Sequence, residues 1–239
     1  MFNLPDRYKT DVKVALKDFI PKDLKPNEKK RIKDAVKEVR LVYQIAGEEI
    51  PSVVDANYRC QVIQFFDIEV VDIKDAGFLA STYQNIIKPY CVIHMHDAKD
   101  EVYSFALKRL NRQDDTQIVI EESFVTEKYP MNLPDESRNR LLSYMDFLTI
   151  KNKLDKVALY KEWYGKAYIL VNEKAYEQTQ LILDGNFWYD SDRTARVLGK
   201  YARLIVARTS LKKAATNADR MKVNKLIKTA IEDLNSEEY

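Results

Sequence analysis

Two apolar stretches separated by one helical stretch constrain the fold of this chain more than any other feature. In CQVIQFFDIEVVD, the apolar side chains of Phe66 and Ile68 alternate with acidic ones such as Asp67, as in a strand with one buried face. DAGFLASTYQNII follows as a helix, and YCVIHMHD is a second strand. A strand, a crossover helix and a strand predict a parallel pair within a β-sheet.

The remaining periodicity predicts an α+β protein. A helix over EKKRIKDAVKEV and a strand over VRLVYQI precede the parallel pair, and VYSFALKRL and TQIVIEESFV follow it as further strands. After YPMNLPDE the pattern becomes helical, with one long helix over residues 154–183 and an antiparallel helical hairpin at the end. We therefore predict a mixed-sheet α/β domain over residues 1–134, with helices on one face of the sheet, and a helical region over residues 135–239.

Basic residues are concentrated near the C-terminus. Between Arg193 and Lys228 the chain has eleven Lys and Arg residues and one acidic residue, although the net charge of the whole chain is only +2. The first four fall three or four residues apart, which is one face of a helix. Such a face could bind a nucleic-acid backbone or an acidic partner, and the alternative is a solvated helix surface. The predicted contact residues are Arg193, Arg196, Lys200, Arg203, Lys212, Lys213, Arg220, Lys222 and Lys225.

Both histidines of the chain lie in the strand YCVIHMHD, two residues apart. Side chains at this spacing point to the same side of a strand, about 7 Å apart. His94 and His96 are therefore expected beside the acids of the neighbouring strand, Asp67 and Glu69. These four residues are a candidate metal site, although any sheet with one solvated face produces the same alternation.

The order of helices and strands also fits a metal-dependent nuclease of the restriction-endonuclease type. That chemistry needs carboxylates around Mg²⁺ and a lysine near the attacking water. The candidate residues are Asp55, Asp67, Glu69, Asp72 and Lys74. Mg²⁺ is expected only under this alternative, and otherwise no cofactor is expected.

The sequence lacks the signals that are typical of several other classes of protein. The five glycines form neither a phosphate-binding loop nor a dinucleotide fingerprint. No apolar run approaches the roughly 20 residues that cross a bilayer, so we expect no integral membrane protein. Cys60 and Cys91 lie in apolar strand-like segments and no secretory leader precedes them, which predicts buried thiols in the reducing cytoplasm.

Four segments of the chain resemble DUF4391, a bacterial family of uncharacterised proteins. They are MFNLP, IQFFDIEVVD, IIKPYCVIHMHD and ADRMKVNKLIKTAIEDL, and they run in order through essentially the whole chain. The resemblance implies a cytoplasmic accessory protein encoded beside helicases and DNA methyltransferases in restriction or phage-defence clusters. The resemblance does not identify any catalytic residue in this chain. Apolar residues usually fill the positions of His94 and His96 in this family, so HMH departs from its pattern.

The basic C-terminal segment and the resemblance together predict an accessory subunit of a restriction or phage-defence system. In this interpretation the basic helices bind DNA or RNA, or a helicase or methyltransferase partner. The alternatives are the metal-dependent nuclease and a purely structural partner-binding protein. Whether the protein is an enzyme, and its oligomeric state, stay open at this point.

Overall fold

A mixed β-sheet forms the first part of the molecule, in a computed structural model that describes residues 1–239. The strands are β1 Lys9–Lys13, β2 Val36–Ile45, β3 Val53–Val54, β4 Arg59–Cys60, β5 Ile63–Val70, β6 Tyr90–His96, β7 Asp100–Leu110, β8 Ile118–Val125 and β9 Tyr129–Pro130. Strands β3 and β4 form a separate ribbon, and the other seven form one sheet in the order β1-β2-β5-β6-β7-β8, with β9 paired to β7. Only β5 and β6 are parallel, so the predicted mixed sheet is confirmed.

Seven α-helices accompany these strands, mostly in the second half of the chain. They are α1 Pro26–Ala35, α2 Ala76–Ile86, α3 Glu136–Met145, α4 Lys156–Val171, α5 Thr179–Asp184, α6 Ser191–Lys213 and α7 Asn217–Asn235. Helix α2 connects β5 to β6, which confirms the predicted strand–helix–strand unit. None of the helices combines the length and apolar character that a bilayer crossing requires.

One face of the sheet packs against α1 and α2. Alternate residues of β5 and β6, such as Ile68 and Met95, join Leu79 and Tyr83 of α2 and Ile32 of α1 in a buried apolar cluster. All five side chains are fully buried. The hydrophobic effect of this burial fixes which residues of β5 and β6 face the opposite side.

The two helices of residues 1–134 therefore lie on one face of the sheet, as predicted, and the opposite face is covered by α4 from the helical region. The ring of Trp163 in α4 meets Phe65 of β5 edge to face, with ring centroids 5.4 Å apart. Tyr160 donates a hydrogen bond of 2.8 Å to the carbonyl of Cys91. Period-two alternation shows where a strand is apolar but not which distant helix covers it.

Residues 1–164 and 165–239 form two compact units. In the second unit α6 and α7 are an antiparallel pair, which confirms the predicted hairpin. Asp190 caps the start of α6 and Thr216 caps the start of α7. The boundary predicted after residue 134 separates two domains that would fold independently, and it stays a prediction.

The single helix predicted over residues 154–183 is wrong. Helix α4 ends at Val171, and a 3-10 turn, Glu173–Ala175, separates it from α5. Tyr201 of α6 donates a hydrogen bond of 2.8 Å to the carbonyl of Asn172, at the point where the helix stops. This tertiary contact satisfies a carbonyl that helix continuation would otherwise have used.

Candidate functional site

A cluster of ionisable side chains lies on the sheet face opposite α2. Strands β5 and β6 are in parallel register, with Asp67 opposite His94 and Glu69 opposite His96. Since their apolar neighbours Ile68 and Met95 lie in the α2-side core, the alternating polar residues project to the other side. The fold thereby brings Asp67 and both histidines together.

His94 lies between two carboxylates. Its Nδ1 is 2.5 Å from Oδ1 of Asp67, and its Nε2 is 2.9 Å from Oε2 of Glu101 on β7. His96 Nε2 is 3.4 Å from the other Asp67 oxygen. The nearest ligand atoms of Asp67, His94 and His96 all lie within 4.8 Å of one another, a spacing that could accommodate a metal ion.

Glu101 is held in place by further contacts. Only 2% of its side chain is exposed. Arg138 of α3 donates from Nε to Oε1 of Glu101 at 2.5 Å, and the Tyr103 hydroxyl is 3.3 Å from the same oxygen. A buried carboxylate that is paired with a guanidinium and an imidazole remains ionised and fixed in orientation.

The pKa values of the cluster follow from these contacts. Burial opposes ionisation of Glu101, but hydrogen bonds from His94 and Arg138 outweigh it and lower its pKa to about 2. Burial likewise opposes ionisation of Asp67, and hydrogen bonds from both histidines hold its pKa well below the usual range. Burial opposes protonation of His94, but its two carboxylate partners raise its pKa. The hydrogen bond to Asp67 raises the pKa of His96 despite partial burial.

The two imidazole rings are stacked, and that of His94 lines a cavity. The His94 ring stacks on His96, with centroids 5.1 Å apart, and on Tyr103, with centroids 4.8 Å apart. A cavity of about 600 Å³ is lined by Asp67, His94, Glu101, Tyr103 and Arg138, among others. A small molecule or several waters could therefore reach the carboxylate and imidazole groups.

The other acids predicted from the sequence lie in separate local arrangements. Glu69 pairs with Lys37 at 2.9 Å. Asp55 accepts hydrogen bonds from two backbone amides of its own turn. Asp72 caps a 3-10 turn and pairs with Lys74 at 2.7 Å. The structure does not gather the five residues of the nuclease alternative into one ligand set.

The first four residues of the predicted basic face contact the last turn of α7 and the residues that follow it. Lys200 Nζ is 2.6 Å from Oε1 of Glu237 and 2.8 Å from the carbonyl of Asp233, and Arg196 Nε is 3.3 Å from the same Glu237 oxygen. Arg193 donates to the carbonyl of Glu238, and Arg203 lies 3.9 Å from Asp233. These cations join α6 to the C-terminal end of α7.

The remaining five residues surround the connection between α6 and α7. We call residues 212–225 the hairpin tip; it contains five basic residues and one acidic residue. Its cations are Lys212, Lys213, Arg220, Lys222 and Lys225, all exposed. The acid, Asp219, accepts a hydrogen bond of 2.6 Å from the Thr216 hydroxyl within the cap of α7. The hairpin tip is therefore a concentrated positive surface.

The family model for the domain of unknown function DUF4391 matches residues 2–234. The chain belongs to the DUF4391 family. No curated protein and no solved structure matches it. The resemblance seen in the four sequence segments is thus confirmed over nearly the whole chain.

In this DUF4391 protein, sequence reasoning missed Glu101 and Arg138. Glu101 lies just beyond the turn that follows the histidine strand, and an antiparallel return places it opposite His96. Extending the predicted strand by one residue towards its start would have found Glu101. Arg138 is at the start of α3, 37 residues later in the chain, and no local pattern connects it to Glu101.

Proposed function

We propose that this DUF4391 protein is a cytoplasmic, nucleic-acid-binding accessory subunit of a bacterial restriction or phage-defence system. Its contact surface is the hairpin tip, with Lys212, Lys213, Lys222 and Lys225 against the phosphate backbone. The observation that carries this proposal is the concentration of exposed cations at one end of the α6–α7 pair. Arg193, Arg196, Lys200 and Arg203, in contrast, connect α6 to the C-terminal end of the chain.

The four lysines differ from the basic residues nearer the start of α6. Arg196 and Lys200 each face Glu237, and Arg203 faces Asp233. At the hairpin tip the acid Asp219 is engaged in the cap of α7. Positive charge at the tip is therefore available to an external anion.

Helix stability alone does not account for this charge. Lys212 and Lys213 lie in the last turn of α6, where cations interact favourably with the helix dipole. Lys222 and Lys225 lie in the N-terminal half of α7, where cations have no such benefit. Being three residues apart on one helix, they also repel each other. Phosphates between these side chains would relieve the repulsion.

A phosphate backbone fits the tip better than a specific protein surface does. Lysine ammonium groups on flexible stems bind phosphates as point charges without demanding one geometry. Binding of this kind is insensitive to sequence and depends steeply on salt. For four lysine contacts, the plot of log affinity against log salt concentration should have a slope of about −3.6 on duplex DNA.

The test is a salt titration of binding to duplex DNA and to single-stranded RNA, measured by fluorescence anisotropy. The variant carries Lys212→Ala, Lys213→Ala, Lys222→Ala and Lys225→Ala. We expect it to lose most of the affinity and most of the salt dependence of the wild-type protein. A matched control replaces four exposed lysines of the first unit by alanine and should bind like wild type: Lys17, Lys22, Lys30 and Lys33.

Other outcomes would count against the proposal. Equal binding by the tip variant and the wild type would remove the hairpin tip as the contact surface. If the wild type binds neither nucleic acid at low salt but co-purifies with a helicase or methyltransferase, the protein-partner interpretation replaces this one. Cleavage of DNA in Mg²⁺ would favour the nuclease alternative, and loss of that activity in Asp67→Ala or Asp72→Ala would locate it.

A further inference from the structure

The polar cluster in residues 1–164 has the donor set of a transition-metal site. His94 and His96 offer imidazole nitrogens and Asp67 offers a carboxylate, from two adjacent strands. Imidazole nitrogens suit Zn²⁺, Fe²⁺, Co²⁺ and similar ions, whereas Mg²⁺ and Ca²⁺ prefer oxygen ligands alone. The chemistry of the cluster therefore differs from the Mg²⁺ site of the nuclease alternative.

The donor atoms lie within 4.8 Å of one another, so that small side-chain movements would bring them around one ion. Metal–nitrogen and metal–oxygen bonds of about 2.1 Å around a tetrahedral ion place neighbouring ligand atoms roughly 3.4 Å apart. His96 Nε2 and the nearer Asp67 oxygen are 3.4 Å apart, and His94 Nδ1 is 2.5 Å from the other oxygen. A rotation of the Asp67 carboxylate that moves this oxygen about 1 Å away from His94 Nδ1 would bring the shorter separation to the same value.

Glu101 supplies an independent indication, because it fixes which nitrogen of His94 can bind a metal. Its carboxylate is 2.9 Å from His94 Nε2, only 2% exposed and oriented by Arg138. An ionised carboxylate in that position accepts a hydrogen bond, so Nε2 carries the proton. Nδ1 is then the nitrogen that can bind an ion, because its lone pair points towards Asp67 once an ion displaces its proton. A carboxylate behind a histidine is the usual outer contact of metal-bound imidazoles.

We propose that Asp67, His94 and His96 bind one divalent transition-metal ion, with Glu101 as a positioning residue for His94. Three protein ligands leave at least one coordination position for water or another oxygen donor, as in catalytic rather than structural zinc sites. Asp67 and His94 both line the cavity of about 600 Å³, which gives such a donor access. The inference is separate from nucleic-acid binding, since the hairpin tip belongs to residues 165–239.

The competing state contains no metal. In it His94 is an imidazolium that bridges the carboxylates of Asp67 and Glu101. The two states differ in one measurable respect, because a metal must replace the proton between Nδ1 and Asp67. Binding of an added ion therefore decides between them.

The experiment titrates Co²⁺, and separately Zn²⁺, into tag-free protein that has been treated with a chelator and dialysed. Isothermal calorimetry gives the stoichiometry, and the visible absorption of Co²⁺ reports its ligands. His94 and His96 are the only two histidines of the chain, so a nitrogen-ligated signal has no other imidazole source. We expect one ion per chain and a loss of affinity of at least about 100-fold in His96→Ala.

Two further variants test the roles of the carboxylates. Glu101→Gln should weaken Co²⁺ binding about 10-fold to 100-fold while keeping one ion per chain, as expected for an outer contact. Glu69→Ala is the matched control, since Glu69 lies on the same strand as Asp67 but pairs with Lys37, and it should bind Co²⁺ like wild type. Circular dichroism of each variant shows whether the fold is retained.

The proposal is overturned if the wild type binds neither ion at micromolar concentration. It is also overturned if a folded His96→Ala variant binds Co²⁺ as tightly as the wild type. Should His96→Ala fail to fold, His96→Gln, which keeps the volume and polarity of the side chain, is used for the same comparison.

Discussion

Lys200 and Glu237 join the two C-terminal helices through an ion pair of 2.6 Å. Only 15% of the lysine side chain and 10% of the glutamate side chain are exposed. Lys200 also donates to the carbonyl of Asp233 near the end of α7. Lys200 thus binds both a carboxylate and a backbone carbonyl near the end of α7, and this role is structural.

Replacing Lys200 by alanine should lower the free energy of unfolding by about 2 kcal/mol, because charged hydrogen bonds to two acceptors are lost. Arg203→Ala is the control, since Arg203 is 65% exposed and 3.9 Å from Asp233, and it should have little effect. Urea denaturation of both variants checks this. Equal stability of Lys200→Ala and wild type would contradict the role assigned to Lys200.

The same pair predicts a dependence of stability on pH. The hydrogen bond from Lys200 lowers the pKa of Glu237 below its ordinary value of 4.5. A carboxyl group with a lowered pKa in the folded state stabilises the protein above its unfolded-state pKa and loses that contribution as the pH falls through the folded-state pKa. The difference in unfolding free energy between wild type and Glu237→Gln should therefore be present at pH 7 and shrink towards pH 3. A difference that does not change over this range would count against the assignment.

Two glycines should respond in opposite ways to alanine substitution. A Cβ on Gly165 would lie 2.8 Å from a methyl carbon of Leu198 and 2.9 Å from the ring of Trp188, whereas nothing lies within 4 Å of a Cβ on Gly199. Gly165→Ala should destabilise the protein by about 1–3 kcal/mol through overpacking. Gly199→Ala, at an exposed position of α6, should stabilise it by up to about 1 kcal/mol. Thermal unfolding of both variants provides the comparison.

The hydroxyl of Tyr83 should be dispensable. This side chain is fully buried and its oxygen has no hydrogen-bond partner. Tyr83→Phe should leave stability unchanged or raise it, because the folded state no longer buries an unsatisfied polar group. In contrast, Tyr160 donates to the carbonyl of Cys91 and accepts from the amide of Ala106, and Tyr160→Phe should cost about 1–2 kcal/mol. Chemical denaturation distinguishes the two, and a large loss in Tyr83→Phe would show that its hydroxyl has a role.

The candidate metal ligands were partly predictable from the sequence. Spacing alone put His94 and His96 on one side of β6 and Asp67 among their neighbours, because side chains alternate along a strand. Glu69 follows Asp67 by two residues on β5, so the alternation predicts it on the same face. Its carboxylate nevertheless pairs with Lys37 of the neighbouring strand β2, which the alternation along one strand does not predict. Arg138 comes from a helix outside the sheet and was not predictable.

The sequence by itself determined the local elements: the alternation of β5 and β6, the helix between them, and the basic helical hairpin. These follow from interactions between residues close in the chain, together with burial of one face. Only the tertiary structure decided that α4 ends at Val171, that its aromatic residues cover the second face of the sheet, and that Lys200 pairs with Glu237. Such contacts depend on side chains far apart in sequence, whose meeting is fixed by packing of the whole chain.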